Sequence, residues 1–231
     1  KLRLKNKFLT FRYQKNKSPN KFDWDWKAVN FNRIALVNYL VGLKGIHCAY
    51  LEIGCDSNML FDSVACLDKT GIDPFKGGTL RMTSDNFFKK NKKKFDVIFI
   101  DGLHEYPQVK KDAENALRSL KDGGWIALHD FLPKNWKEGH VPRLNVTWSG
   151  DVWKLGFDLL QSKDINFKIL LIDRGVCIIK PEKVGAKIYI DNNEINSCQF
   201  QYLYDNIKTL PLVSYSEGIN WIEKKADRKW S

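Results

Sequence analysis

The 231-residue chain has no apolar run long enough to cross a membrane, no Cys-x-x-Cys pair, no internal repeat and no complete Gly-x-Gly-x-x-Gly loop. A spanning helix needs about 20 consecutive, mostly apolar residues, so no membrane span is expected. Lys1-Leu2-Arg3-Leu4-Lys5 is basic, but no apolar stretch or small-residue cleavage site follows it, so it does not read as a signal peptide. No initiator Met precedes it, which leaves room for a trimmed chain or a piece of something longer. Cys48, Cys55, Cys66, Cys177 and Cys198 are scattered and odd in number, which speaks against a disulfide framework or a structural zinc site. Free thiols of this kind fit a reducing cytoplasm.

The chain is short of acidic residues: 38 Lys and Arg face 27 Asp and Glu, a net charge of +11. The excess is mostly Lys, spread from end to end in runs such as Lys89-Lys90-Asn91-Lys92-Lys93-Lys94. A solvated surface is the reading adopted; a nucleic-acid partner is the alternative kept beside it.

Forty-three per cent hydrophobic residues suffice for one substantial core. Apolar spacing predicts a helix over 30–43 and a buried strand over 48–54, followed by a short helix over 58–67. Strands are expected at 69–73, 79–82, 95–101 and 125–129, with helices from Ser84 and over 106–120, the latter closed by Asp122-Gly123-Gly124. A helix over 152–161 and strands at 167–172 and 176–179 follow, the last two joined by a tight Asp173-Arg174-Gly175 turn. The alternation predicts an α/β fold: a doubly wound, mostly parallel sheet with a final antiparallel strand. Residues 1–29 read as an irregular extension, 30–181 as the main domain, and 182–231 as a C-terminal helical extension packed on it.

In open α/β sheets ligands lie outside the carboxyl ends of the strands. The polar residues there are Glu52 and Gly54, Asp73, Asp101 with His104, and His129-Asp130. An acidic residue about twenty positions after the first strand's Gly is placed to hold ribose hydroxyls. A pyrophosphate needs an open Gly-rich cradle, and Asp56, Ser57 and Asn58 stand there instead, so a dinucleotide is disfavoured.

Tyr50-Leu51-Glu52-Ile53-Gly54-Cys55, Gly71-Ile72-Asp73-Pro74, Thr83-Ser84-Asp85-Asn86-Phe87-Phe88 and the stretch from Phe95 to Tyr106 resemble successive motifs of class I S-adenosylmethionine-dependent methyltransferases. Continuing through Asp112, Leu120, Gly123-Gly124 and His129-Asp130, the chain is similar to methyltransferase family 24 and to sugar and macrolide O-methyltransferases. Trp148-Ser149-Gly150-Asp151-Val152-Trp153-Lys154 looks like a late motif of the same group. The likeness spans roughly residues 30–181. It implies a Rossmann-like seven-stranded sheet, with Glu52, Gly54 and Cys55 along the methionine part of S-adenosylmethionine, Asp73 on the ribose, and Ser84 and Asp85 beside the adenine. Asn58, Pro74 and Asp101 complete the expected cofactor-binding set. Ser84 has a second reading as a helix N-cap.

Oxygen acceptors are weak acids and need a base or a metal. Asp101 and Asp130 are the expected oxygen ligands of Mg²⁺ or Mn²⁺, His129 a third ligand, and His104 the base. A His in that set suits Mn²⁺, Fe²⁺ or Zn²⁺ better than Mg²⁺. Three of the four have a structural reading as well: a loop cap for Asp101, a backbone donor for His104, a satisfied buried histidine for His129. Trp136, Trp148 and Trp153 are candidates for an aromatic wall, with core packing favoured for Trp153, and Glu138 and His140 for a covering loop. The expected activity is O-methylation of a small polar or glycan acceptor, in the cytoplasm, with a homodimer compatible. An RNA methyltransferase and a catalytically silent binding subunit are the competing readings.

Overall fold

A computed structural model describes residues 8–189 and 193–226. The Lys1–Lys5 segment lies outside the described residues. Mostly apolar runs became central strands: β1 (Ala49–Ile53) is buried throughout, its Glu52 included, and β3 (Phe95–Ile100) is buried except at Asp96. Amphipathic segments became covering helices. The first, α1 (Arg33–Gly42), is started by Asn32, whose Oδ1 accepts from the N–H groups of Ile34 and Ala35 at 2.9 and 3.3 Å. Then come α2 (Met59–Ser63), α3 (Ser84–Lys90), α4 (Tyr106–Ser119) and α5 (Lys154–Gln161).

With β2 (Asp68–Ile72), β4 (Leu120–Leu128), β5 (Ile165–Leu170), β6 (Val176–Pro181) and β7 (Leu212–Val213), the strands form one seven-stranded sheet in the order β2-β1-β3-β4-β6-β5-β7. Strands β2, β1, β3 and β4 run parallel; β6 alone is antiparallel to both its neighbours. Alternate side chains feed two cores, one per face: Leu51 and Ile53 of β1 enter one, Tyr50 the other. The chain reverses its direction of winding between β1 and β3, and a crevice opens there at the strands' carboxyl ends.

Three expectations need correction. Residues 79–82 form no strand: the only pairing is a single parallel bridge from Leu80 to Ile72, after which the chain peels off toward the crevice. The expected Asp122–Gly124 turn lies inside β4, where the pairing with β3 slips between Phe95 and Val97. The C-terminal segment contributes more than helices. Beside α6 (Asn193–Ser197), α7 (Phe200–Asn206) and α8 (Tyr215–Ala226), it supplies β7, which pairs with β5 through Ile169↔Leu212 and Leu170↔Val213. The N-terminal lead-in also packs on the domain, with the Phe22 ring 5.7 Å from that of Phe200 and 5.1 Å from that of Tyr204.

Candidate active site

A cleft of about 590 Å³ lies outside the ends of β1, β2 and β3, within the range of pockets that enclose a small ligand. Gly54, Asp73, Pro74, Ser84, Asp85 and Asp101, all expected cofactor contacts, line it. Gly54 has to be glycine. Its φ is +86°, and a Cβ there would stand 2.1 Å from the carbonyl oxygen of Asp101. The two strand ends can therefore close on each other only because β1 ends without a side chain.

Glu52, Cys55 and Asn58 are not among the residues lining the cleft. Glu52 shares the Tyr50 face of β1, is buried, and accepts from the Tyr50 hydroxyl at 2.5 Å. Burial pushes its carboxyl up to about 7, against the Tyr50 bond, which lowers it. Cys55 is buried beneath Gly71, and burial pushes its thiol up too. Asn58, at φ 64°, turns its Oδ1 onto the N–H of Gly78 at 2.6 Å and so pins the loop after β2.

Asp73 holds its own loop as well as facing the cleft. Its Oδ1 accepts from the N–H groups of Phe75 and Lys76 at 2.7 and 2.9 Å, and its Oδ2 from that of Asp56 at 3.0 Å. Burial raises its carboxyl, but these backbone donors outweigh that and keep it below the usual range. Two carboxylate oxygens offer about four lone pairs, so Oδ2 retains one for a ribose hydroxyl. The cap of α3 is Thr83, whose Oγ1 accepts from the N–H of Asn86 at 3.3 Å. Ser84 is thereby free to turn its hydroxyl toward Gln108, 3.3 Å away. Gln108 and the buried Asp112 complete this wall, and neither was singled out as a site residue from sequence. Burial lifts the Asp112 carboxyl to about 6.

Beside the cleft, which Asp101 alone of the four lines, four charged side chains from two strand ends meet. Both histidines reach the same oxygen of Asp101: His104 Nε2 stands 3.1 Å and His129 Nδ1 3.3 Å from Oδ1. His104 Nδ1 faces Asp130 Oδ2 at 3.2 Å and the Trp148 carbonyl at 3.1 Å. The other nitrogen of His129 lies 2.7 Å from the Asp173 carbonyl. Every nitrogen of these two rings therefore faces only acceptors, an arrangement that suits the doubly protonated imidazolium. Burial works against the charge, but Asp101 and Asp130 raise His129 well above the ordinary value, and the Asp101 bond and Asp130 raise His104. Reciprocally, although burial opposes it, His129 and His104 hold Asp101 well below the usual carboxylate range, and they lower Asp130 too.

Asp130 sits at φ 65° and is fully buried. Its Oδ1 accepts from Arg174 Nε at 2.9 Å and Ser149 Oγ at 3.1 Å, while Oδ2 is buried with no hydrogen bond of acceptable geometry. The Asp173-Arg174-Gly175 turn, read from sequence only as a hairpin connection, thus delivers two charged groups to the site. Asp173 also takes Arg33 at 2.6 Å, tying α1 to the cluster. The donor atoms of Asp101, His104 and Asp130 lie within 4.8 Å of one another and form the one group among the described residues with the spacing of a metal site. His104 thus joins Asp101 and Asp130 in this group, while the nitrogens of His129 face Asp101 and the Asp173 carbonyl.

The late segment packs over this cluster. Gly150 has a φ of +58°, and a Cβ there would stand 1.7 Å from the His104 carbonyl oxygen. Asp151 Oδ1 accepts from the Tyr106 N–H at 2.6 Å, capping α4 from a distance. Trp148 lies 5.4 Å from the His104 ring, whereas Trp153 and Trp136 are core residues. Glu138 and His140 are buried rather than set in an open covering loop: the Glu138 carbonyl accepts from Ser149 and Gly150, and His140 contacts Asn16 at 2.9 Å.

A sheet in which one antiparallel strand stands between parallel ones, with a nucleoside-sized cleft at the switch point, is the arrangement of the class I methyltransferase fold. Residues 66–131 match Methyltransf_24, a methyltransferase domain, and this segment holds Asp73, Ser84, Asp85, Asp101, His104, His129 and Asp130. No curated protein matches the sequence significantly. Among solved structures, the chain is similar to the S-adenosylhomocysteine-bound methyltransferase PaMTH1 of Podospora anserina, at 17% identity and TM-score 0.47, covering 78% of this chain and 96% of that one. MycE, a methyltransferase of mycinamycin biosynthesis in complex with Mg, S-adenosylhomocysteine and mycinamycin VI, is 14% identical with TM-score 0.44, covering 81% of this chain and 56% of its own. The N-methyltransferase NodS of Bradyrhizobium japonicum is 15% identical with TM-score 0.42, covering 64% and 92%.

Proposed function

We propose that this methyltransferase acts on a hydroxyl of a small polar acceptor, a sugar of a glycan or glycosylated metabolite, assisted by a divalent cation. The observation that carries this reading is the convergence of Asp101, His104 and Asp130, of which Asp101 also lines the cofactor cleft. A cation fits there because Asp130 Oδ2 is buried and accepts no well-formed hydrogen bond. Asp101 and Asp130 would hold it, leaving His104 as the base; two carboxylates suit Mg²⁺ or Mn²⁺. When bound, such an ion makes a coordinated hydroxyl more acidic.

The protein's own residues supply the rest. The cleft walls hold the donor so that its methyl group faces the acceptor oxygen, which is where positioning gains most of its effect. His104 takes the hydroxyl proton in its neutral form, once one of its two contacts, to Asp101 or to Asp130, is given up to the acceptor. Asp101 and Asp130 then stabilise the imidazolium that results. His129 keeps Asp101 oriented, and Arg174 and Ser149 do the same for Asp130.

The cleft lining favours a small acceptor over a nucleic acid. It contains Asp56, Asp73, Asp85, Asp101 and Asp112 and no Lys or Arg, while Lys92, Lys93, Lys94 and Arg118 gather around a separate hollow beside Asn91 and Ser119. The lining offers a polyanion no cationic side chain inside the cleft. No helix among the described residues is long and apolar enough to cross a membrane. The free cysteines support a cytoplasmic setting. The test is methyl transfer from labelled S-adenosylmethionine to a panel of sugars, nucleotide sugars and RNA, with and without EDTA. Transfer to a sugar oxygen that stops in EDTA and returns with Mn²⁺ or Mg²⁺ supports the reading. Full activity in chelator removes the cation, and transfer to RNA alone removes the sugar.

A further inference from the structure

Gln108, on the first turns of α4, lines the cofactor cleft at the wall formed by Ser84, Asp85 and Asp112. Its Nε2 stands 3.3 Å from Ser84 Oγ, 3.2 Å from Asp85 Oδ1 and 3.0 Å from Asp112 Oδ1. Three acceptors around one amide nitrogen fix which end of the amide is which. Turned the other way, the amide oxygen would face two carboxylate oxygens with no proton between them, and the NH₂ would lose every partner. Ser84 reinforces the orientation, since its hydroxyl also bonds Asp112. Asp85 is anchored in turn by Lys111 Nζ at 2.6 Å.

The consequence concerns the other end of the amide. With Nε2 held against the wall, Oε1 is a fixed acceptor with no hydrogen-bond partner among the described residues. A pre-oriented acceptor in a ligand cleft selects for a donor on the ligand. Of the polar groups on the edge of a purine base, the exocyclic 6-amino group of adenine is a pure donor, whereas a 6-oxo group is a pure acceptor. We infer that Gln108 is a specificity-determining residue of this methyltransferase: its Oε1 accepts from the 6-amino group of the cofactor's base, and Ser84, Asp85 and Asp112 act as positioning residues that hold the amide in that orientation.

This rests on the cofactor occupying the cleft in the sense described above, with its base at the Ser84 end. The selection works in two ways: the amino form gains a hydrogen bond, and the oxo form meets oxygen against oxygen, which leaves both acceptors unsatisfied. A site built to bond one polar group rejects the analogue lacking it far more strongly than an apolar pocket does.

The experiment is calorimetric titration of the full chain with S-adenosylhomocysteine and with S-inosylhomocysteine, which differ at the 6-position and in the adjoining ring proton. The wild type should bind the adenosyl compound roughly 10-fold or more tightly than the inosyl compound. Gln108→Leu and the more nearly isosteric Gln108→Met should both weaken the adenosyl compound and bring the two ligands to within about 3-fold of each other, because neither side chain can tell donor from acceptor. Two variants of different shape guard against one that fails to fold, which circular dichroism shows. A wild type that binds both ligands equally, or a folded variant that keeps the full preference, overturns the assignment. Failure of the wild type to bind S-adenosylhomocysteine at all would instead overturn the placement of the cofactor, and the assignment with it.

Discussion

Replacing Glu52 by Gln tests whether this carboxyl is a buried acid behind the cleft rather than a group that reaches the cofactor. Glu52 is 1% exposed and burial lifts its carboxyl from 4.5 to about 7. An acid whose value is higher in the folded chain than in the unfolded one stabilises the fold at low pH. That contribution is whole below 4.5 and is lost as pH rises through about 7. From the two values, ionising Glu52 in the folded chain costs about 3 kcal/mol at alkaline pH. Between about pH 5.5 and about pH 8.5 the cost attributable to this side chain grows by roughly 2 kcal/mol. Gln is uncharged, keeps an oxygen for the Tyr50 hydroxyl, and carries no such dependence. The assay is urea denaturation of wild type and Glu52→Gln at both pH values. All other titrating groups are common to the two proteins and cancel in the difference. The variant should gain on the wild type by roughly 2 kcal/mol on going from the lower pH to the higher. An unchanged difference, or one of opposite sign, would refute the reasoning and show that Glu52 is charged and well solvated in the folded chain.

His104→Ala should abolish turnover while leaving the affinity for S-adenosylhomocysteine within about twofold, measured by calorimetry, because the ring does not itself line the cofactor cleft. Since His104 is raised above its ordinary 6.5 and acts as a base only when neutral, turnover should climb with pH through a midpoint above 6.5. A midpoint below that value would contradict the paired state of the ring. Gly150→Ala should lower thermal stability, by about 1–2 kcal/mol for the left-handed backbone alone and by more once the clash with the His104 carbonyl is relieved, and turnover should fall with it. A variant with both unchanged would show that the segment over His104 is looser than described.

The central strands were legible because apolar runs that end in Gly or Asp have few alternatives. The same holds for Asp101, His104, His129 and Asp130, which follow two neighbouring strands and so had to meet. Which partners they would choose was not legible. The commitment of His129 to the Asp173 carbonyl depends on a turn in which Asp173, Arg174 and Gly175 all take positive φ, a geometry that sequence does not disclose for an Asp-Arg pair. The bond from the Gly78 N–H to Asn58 was hidden for a similar reason, since it depends on the left-handed backbone of Asn58. Residues 79–82 have a strand's composition but only one bridge, because Gly77 and Gly78, both at positive φ, bring the chain back against β2 for a single residue pair. Gln108 escaped notice because its role is set by three acceptors, two of them more than twenty positions upstream.

The two-residue strand β7 has a bearing on how the chain can be divided. The N–H of Ile169 is satisfied by the Pro211 carbonyl at 3.1 Å and that of Leu171 by the Val213 carbonyl at 2.8 Å. The rim of the sheet is thus sealed by a stretch that arrives some thirty positions after β6 ends at Pro181. Cutting the chain after β6 would leave a catalytic half with every site residue present and an unsealed margin of donors and acceptors along β5. Such a margin is a template on which a second copy can pair. The C-terminal segment is therefore a guard against self-association as much as an appendage.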